Sequence, residues 1–171
     1  RDGVVISRQD GPLFIDSNAG KQDFEGLELT AAWAPMPNLS FHGNVAFYHN
    51  RFGDFVAQKD STTTIDLTGN RLPAVPDRIY NVGGSYEPVD NVGFRLRFKY
   101  VDDRFADEDN ILLLDGYPLL DASAYWSPGP VRFTLSGHNL LDERYFSSGG
   151  TDNVNLGWPR QFMLIASYVY N

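Results

Sequence analysis

The strongest constraint in this sequence is a hydrophobic period of two that recurs along nearly its whole length. From Val131 to His138, apolar or small residues hold the odd positions and polar ones the even positions. From Val92 to Tyr100, Val92, Phe94, Leu96, Phe98 and Tyr100 share one side, while Arg95, Arg97 and Lys99 share the other. Leu39, Phe41, Val45 and Phe47 alternate with His42, Asn44 and Tyr48, and Leu120, Ala122, Ala124 and Trp126 alternate with Asp121, Ser123 and Tyr125. Glu25 to Trp33, Tyr80 to Tyr86 and Phe162 to Tyr170 follow the same rule, with Val4 to Ser7 a weaker candidate. Successive side chains on a strand point to opposite faces, so the pattern predicts an all-β chain of strands with one apolar and one polar face.

The connections alternate in length. Pro35 to Asn38, Glu87 to Asn91 and Ser127 to Pro130 are tight turns built on Pro and Gly, whereas 51–76, 102–116 and 140–158 are long. A soluble sandwich has no reason to sort its loops by end, but an antiparallel transmembrane β-barrel has short turns at one rim and long loops at the other. The 12 Phe, 9 Tyr and 3 Trp are distributed accordingly. Trp33, Phe41, Tyr86, Phe94, Trp126 and Phe133 fall beside the tight turns, and Phe24, Phe47, Tyr80, Tyr100, Tyr117 and Trp158 form a second, less regular row. Two aromatic girdles bounding an apolar band are what the two lipid–water interfaces favour. Strands of about 9–13 residues are long enough to cross a hydrocarbon core at a tilt. Unpaired backbone cannot face lipid, so about seven or eight such strands either close on themselves or belong to a larger wall.

Composition removes other classes. With 14 Lys and Arg against 22 Asp and Glu, the net charge is −8 and the cations are scattered, so no nucleic-acid partner is expected. The chain has no Cys, and its three His are widely spaced, which excludes thiol chemistry and Cys-ligated zinc. No apolar run approaches the ~18 residues of a membrane helix, and no charged-then-apolar leader precedes Arg1, so the chain is expected to be processed or cut from something longer. No Gly-x-Ser-x-Gly, phosphate-binding Gly loop or paired-carboxylate cleft is present, and neither an enzyme nor a cofactor is expected.

The candidate ligand-facing residues are those of the polar face: Arg95, Arg97, Lys99, Arg132, Tyr48 and Tyr125, with Glu28 and Asp121 as counter-charges. Such a ladder either attracts an anionic ligand or lines a wet interior. Asp102, Asp103, Asp107 and Asp109 make a weak candidate for a divalent cation, but they lack EF-hand spacing, and a solvated acidic loop is the preferred reading. His42 and His138 read as ordinary polar residues, and Tyr145 and Trp158 as ligand-stacking or interfacial rings.

Three stretches carry a resemblance: Asp121-Ala122-Ser123-Ala124-Tyr125; Val131 to His138 running into Asn139-Leu140-Leu141-Asp142-Glu143-Arg144-Tyr145-Phe146; and Gly157-Trp158-Pro159-Arg160 before a final alternating strand. Together they closely resemble the C-terminal end of TonB-dependent outer-membrane receptors. Asn18-Ala19-Gly20-Lys21 leading to Phe24, and Gly69-Asn70-Arg71-Leu72-Pro73 with Pro76, are similar to the family's upstream passages. The resemblance implies a roughly 22-stranded barrel with a plug inside, in the outer membrane of a Gram-negative cell. It also implies import of a scarce nutrient such as a ferric siderophore or cobalamin, with TonB as energy-coupling partner. Residues 1–171 would then be the C-terminal segment of that barrel, without the plug. Asn139, Leu140, Asp142, Tyr145, Pro159 and Arg160 carry the motif, with Asn139 expected to bond backbone groups at a loop start and Pro159 to open the last strand. The family usually ends on an aromatic residue, whereas here Asn171 follows Tyr170. The alternatives are a self-contained eight-stranded outer-membrane barrel with a structural or passive-pore role, and a soluble sandwich that binds carbohydrate.

Overall fold

A computed structural model of the chain describes residues 5–10, 13–18, 20–58, 63–150 and 153–168, and everything below concerns these. It is all-β. In chain order the strands are β1 (Val5–Asp10), β2 (Leu13–Asn18), β3 (Gln22–Met36), β4 (Leu39–Phe52), β5 (Val56–Gln58), β6 (Thr64–Asp66), β7 (Arg78–Val89) and β8 (Val92–Val101). They continue with β9 (Arg104–Phe105), β10 (Leu113–Leu114), β11 (Tyr117–Trp126), β12 (Val131–His138), β13 (Phe146–Gly149), β14 (Val154–Leu156) and β15 (Gln161–Tyr168). Seven of them form one antiparallel sheet in the order β15-β12-β11-β8-β7-β4-β3, while β1-β2, β5-β6, β9-β10 and β13-β14 are separate two-stranded ribbons. The sheet is thus a meander, and the ribbons β5-β6, β9-β10 and β13-β14 occupy its long connections. No helix among the described residues is long and apolar enough to cross a membrane.

Register sorts the side chains onto two faces. One cross-strand row runs Trp33, Phe41, Gly84, Leu96, Ala122, Gly137, Phe162, and it is apolar or small throughout. On the other face, Ala32, His42, Gly83, Arg97 and Asp121 stand side by side. A slip of one residue at any pair would exchange the faces, so the alternation in the sequence and the pairing enforce each other. The apolar face is uncovered: Leu27 is 56% exposed and Leu164 69%. Buried apolar side chains gather instead in the long connections, where Phe52, Phe55, Leu67 and Leu72 form a small core with Ala57, Ile65 and Val75 against it. An apolar surface spread across seven strands far exceeds what a soluble monomer exposes. No second large sheet covers it among the described residues, which leaves the sandwich reading without its partner layer. β3 and β15 do not pair with each other, so the sheet is open and the eight-stranded closed barrel is not formed by these residues.

The second aromatic row is corrected at three of its six members. Phe24 has the parity of Glu28 and lies on the polar face, its ring 5.4 Å from that of Tyr48. Tyr117 has the parity of Asp121, is buried, and stacks on Tyr145 at 4.1 Å between centroids. The second aromatic row therefore reduces within the sheet to Phe47, Tyr80 and Tyr100, each 5.9 Å from the next; Trp158 lies outside any strand and is 75% exposed. The connection expected at 51–76 starts later, because β4 runs to Phe52. The weak N-terminal strand lies in β1, which pairs with β2 rather than joining the sheet; Val4, Ala19, Val169, Tyr170 and Asn171 lie outside the described residues.

Candidate functional site

The polar face is built around Arg97. Its Nε and Nη2 both donate to Asp121 Oδ2, at 3.2 and 2.5 Å. Asp121 Oδ1 accepts the Asn139 N–H at 3.0 Å and lies 3.6 Å from His138 Nδ1. One carboxylate thus joins three neighbouring elements. His42, Ser85, Arg95, Arg97, Asp121 and His138 surround a depression of about 520 Å³ with a mixed polar and apolar lining. A second, of about 350 Å³, shares Arg97, Asp121 and His138 and is walled by Asn139, Tyr145 and Trp158. Arg95 and Lys99 have no carboxylate at ion-pair distance among the described residues, so two of the three cations on β8 remain unmatched.

The other candidates of this face lie apart from that cluster. Tyr48 donates to Glu28 Oε1 near the opposite sheet edge. Tyr125 donates to Glu87 Oε1 at 2.8 Å, and its ring carries the Arg132 guanidinium at 3.9 Å, while Arg132 Nε donates to Ser127 Oγ at 2.9 Å. These contacts bind the tight-turn rim together. Tyr125 also fills the space where a side chain at Gly93 would stand, so a residue larger than glycine there would displace the ring.

The motif residues close one corner at the far end of β12. Asn139 is 4% exposed with a φ of 49°. Its Nδ2 donates to the carbonyls of Glu143 and Trp158, at 2.9 and 3.0 Å, and its Oδ1 accepts the Glu143 N–H at 2.9 Å. Asn tolerates the left-handed conformation better than most residues and supplies both donor and acceptor. The Leu140 N–H reaches the Leu120 carbonyl at 2.8 Å, Asp142 pairs with Arg160 at 3.0 Å, and Tyr145 lies on Tyr117. Pro159 precedes β15 directly beside Arg160.

Above the sheet the long connections are cross-tied. Arg71 donates to Asp103 Oδ1 at 3.0 Å and to the Asp103 carbonyl at 2.7 Å, and its Nε lies 3.5 Å from Asp77 Oδ2. The fully buried Asn50 donates to Asp77 at 3.0 Å and accepts the Leu72 N–H at 3.0 Å. Arg104 holds the carbonyls of Phe146 and Ser147 at 2.8 and 2.9 Å. The sequence singled out none of Asn50, Asn110 or Arg104 as functional, because the contacts that tie them across the connections reach partners 22 to 43 residues away.

The acidic loop does not assemble into the divalent-cation candidate. Asp102 faces Arg78 at 2.6 Å, Asp103 faces Arg71, and Asp107 accepts the N–H groups of Ile111 and Leu112 at 2.9 and 3.1 Å. The carboxylates of Asp102, Asp103 and Asp107 are thus spent on separate contacts, and no three acidic or His side chains, Asp109 included, converge among the described residues. Burial, with the Asp109 charge adding to it, pushes the Glu108 carboxyl above the usual range. A carboxyl raised on folding stabilises the fold at pH below its unfolded value, and that stability is lost as pH rises through the folded one. Loop stability is therefore expected to fall as pH rises through and just above the ordinary Glu range, and Glu108→Gln should flatten that part of a pH-resolved hydrogen-exchange profile of residues 102–116. An unchanged profile would remove Glu108 as the cause.

Comparison with known proteins extends the picture. A family model described as TonB dependent receptor-like, beta-barrel matches residues 1–140. The pesticin receptor of Yersinia enterocolitica is 33% identical over 148 residues, covering 81% of this chain and 20% of the receptor. The ferrioxamine receptor of the same organism is 24% identical over 137 residues, covering 76% and 18% respectively. Among solved structures, the ferric yersiniabactin uptake receptor FyuA from Yersinia pestis superposes with a TM-score of 0.75 at 26% identity, over 89% of this chain and 24% of that one. The siderophore receptor PiuA from Acinetobacter baumannii shares the fold, with a TM-score of 0.79 at 20% identity over 88% and 22%. The chain spans about a fifth of the length of the curated relatives it matches.

Proposed function

The chain belongs to the TonB-dependent receptor-like β-barrel family, and from that premise we propose that it is a section of the wall of an outer-membrane importer. In that reading the earlier strands and the plug belong to a longer receptor, TonB supplies the energy, and the cargo is a ferric siderophore or a similar scarce nutrient. The family is one of receptors and transporters, not enzymes. The observation that carries the proposal is the uncovered apolar face opposite a polar face with unmatched cations. The apolar face lies against hydrocarbon, the row from Trp33 to Phe133 marks the interface at the tight turns, and the polar face lines the lumen. The relatives named for ferrioxamine and for ferric yersiniabactin uptake support a siderophore-class cargo.

In the lumen, Arg95 and Lys99 attract an anionic chelate or the acidic side chains of a plug. In iron-starved cells carrying the whole receptor, the Arg95→Ala/Lys99→Ala variant is expected to lose about tenfold in the initial rate of ferric-chelate uptake at low ionic strength. The deficit should shrink as salt screens the field. Receptor abundance in the membrane fraction serves as control. Wild-type uptake at every ionic strength would sink the role given to these cations.

A further inference from the structure

One cross-strand row of the polar face is used neither for ion pairing nor for loop packing. In register, Ser40, Ser85, Arg95, Ser123, Ser136 and Met163 stand side by side. Ser40 and Ser85 bond to each other at 2.8 Å. Arg95, Ser123 and Ser136 make no side-chain hydrogen bond or ion pair among the described residues. The short serine side chains leave the exposed Arg95 guanidinium clear in the depression of about 520 Å³ that Ser85, Ser123 and Ser136 help to line. Charged groups in that lining are Arg95 and Arg97 against Asp121, an excess of one positive charge with the histidines neutral. At the far end of the row the chemistry changes. Met163, beside Ser136, and Ile165, beside Thr134, are apolar side chains exposed on the polar face. Two adjacent apolar side chains facing a wet space form a surface that an apolar group covers favourably.

We infer that this row is a subsite for an amphiphilic monocarboxylate cargo, with the carboxylate on Arg95 and the apolar body over Met163 and Ile165. The inference rests on the reading above in which the polar face lines the lumen. A carboxylate matches the charged end, because a guanidinium offers it two parallel N–H donors. The Ser123 hydroxyl beside Arg95 donates to a lone pair that remains. One unbalanced positive charge calls for one negative charge, which a phosphate dianion would exceed. From Arg95 to Met163 the row crosses three strand spacings, about 14 Å at ~4.8 Å each. That distance sets the scale of the separation between the charged and apolar ends of the cargo. The depression, at about 520 Å³, has the size of a small-molecule site, roughly 300–1,000 Å³. Lys99, farther along β8, lacks such company, since its cross-strand neighbours are Asn81 and Leu119.

The test is equilibrium binding of phenylhexanoate to the whole receptor in nanodiscs, read by saturation-transfer NMR and corrected for uptake of the probe by empty nanodiscs. Specific binding to the wild type is expected to weaken about tenfold with the neutral phenylhexanamide or in Arg95→Gln, since either change removes the charge-assisted pair. Arg95→Lys keeps the charge, loses the fork and should fall between the two. Met163→Ser/Ile165→Ser should bind phenylhexanoate no better than acetate, having lost the apolar contact. Ser123→Cys places a thiol in the row, and phenylhexanoate should protect it from a water-soluble maleimide. Equal losses in Arg95→Gln and Lys99→Gln, or competition by inorganic phosphate as strong as by acetate, would reduce the seat to the general field of the lumen and overturn it. A Ser123→Cys thiol closed to maleimide before any probe is added would mean that another segment of the receptor fills the row, which overturns it too. A receptor that floats with vesicles and takes up ferric chelate but shows no specific binding loses only this subsite. One that neither floats nor takes up chelate loses the importer wall as well.

Discussion

Phe55→Ala is expected to open the loop cap between β4 and β7 while leaving the seven-stranded sheet in place, at a local cost of about 3–5 kcal/mol. Phe55 is 1% exposed and stacks on Phe52 with 4.6 Å between centroids, against Leu67 and Leu72. This cluster is small, so no neighbouring mass of core can relax into the hole. The same residue anchors backbone: its N–H donates to Thr68 Oγ1 at 3.1 Å and its carbonyl accepts the Leu67 N–H at 2.9 Å. Hydrogen exchange over residues 53–77 should accelerate by about two orders of magnitude or more, since each 1.4 kcal/mol is a factor of ten when opening is local. Exchange within β8, β11 and β12 should not change. Phe55→Leu, which keeps most of the volume, should cost much less. Unchanged exchange in the loop of Phe55→Ala would mean that the cap is held by its polar cross-ties and not by this core.

Asn139→Ala is the second large effect, expected at about 3 kcal/mol, because it leaves three part-buried backbone groups without their partner. The Glu143 N–H and the carbonyls of Glu143 and Trp158 all lose their partner at once. Two companion variants separate the contributions. Asn139→Gly keeps the positive φ without strain and loses every side-chain bond, whereas Asn139→Asp keeps the acceptor and loses both donors. Protease cleavage within 140–158 and thermal unfolding in detergent should rank the wild type most resistant and Asn139→Ala least. If Asn139→Gly matched the wild type, the corner would be held by conformation alone, and the hydrogen bonds assigned to Asn139 would be incidental.

The sheet was legible in the sequence because a period of two depends on nothing beyond neighbouring residues. All seven long strands fall where the alternation of Leu39 to Phe47, Val92 to Tyr100 and their counterparts places them. The candidate cations were legible for the same reason, since Arg95, Arg97 and Lys99 could only share a face. Pairings between strands were not. That Arg97 meets Asp121 while Arg95 meets no carboxylate depends on register, which the sequence of one strand does not contain. Phe24 and Tyr117 stand near strand ends, as girdle residues do, but parity decides the face and both lie on the polar side. The acidic connection at 102–116 reads as a solvated loop, and the order of the long connections is not legible, because it comes from contacts distant in sequence. Asn110 reaches back 39 residues to Arg71, and Phe52, Phe55, Leu67 and Leu72 have no shared period.

The open sheet has a consequence for how such a segment survives before it is built into anything. The outer margins of β3 and β15 each carry a row of peptide groups with no partner strand among the described residues, and β3, at 15 residues, is the longer of the two. Such a margin is a template for any extended chain, including another copy of itself. Left free in water, the segment is expected to polymerise in a concentration-dependent way, with a lag that seeds abolish. If the chain is a section of a larger wall, as proposed above, both margins need pairing partners, and adjoining strands of that wall would supply them one hydrogen-bonded seam at a time.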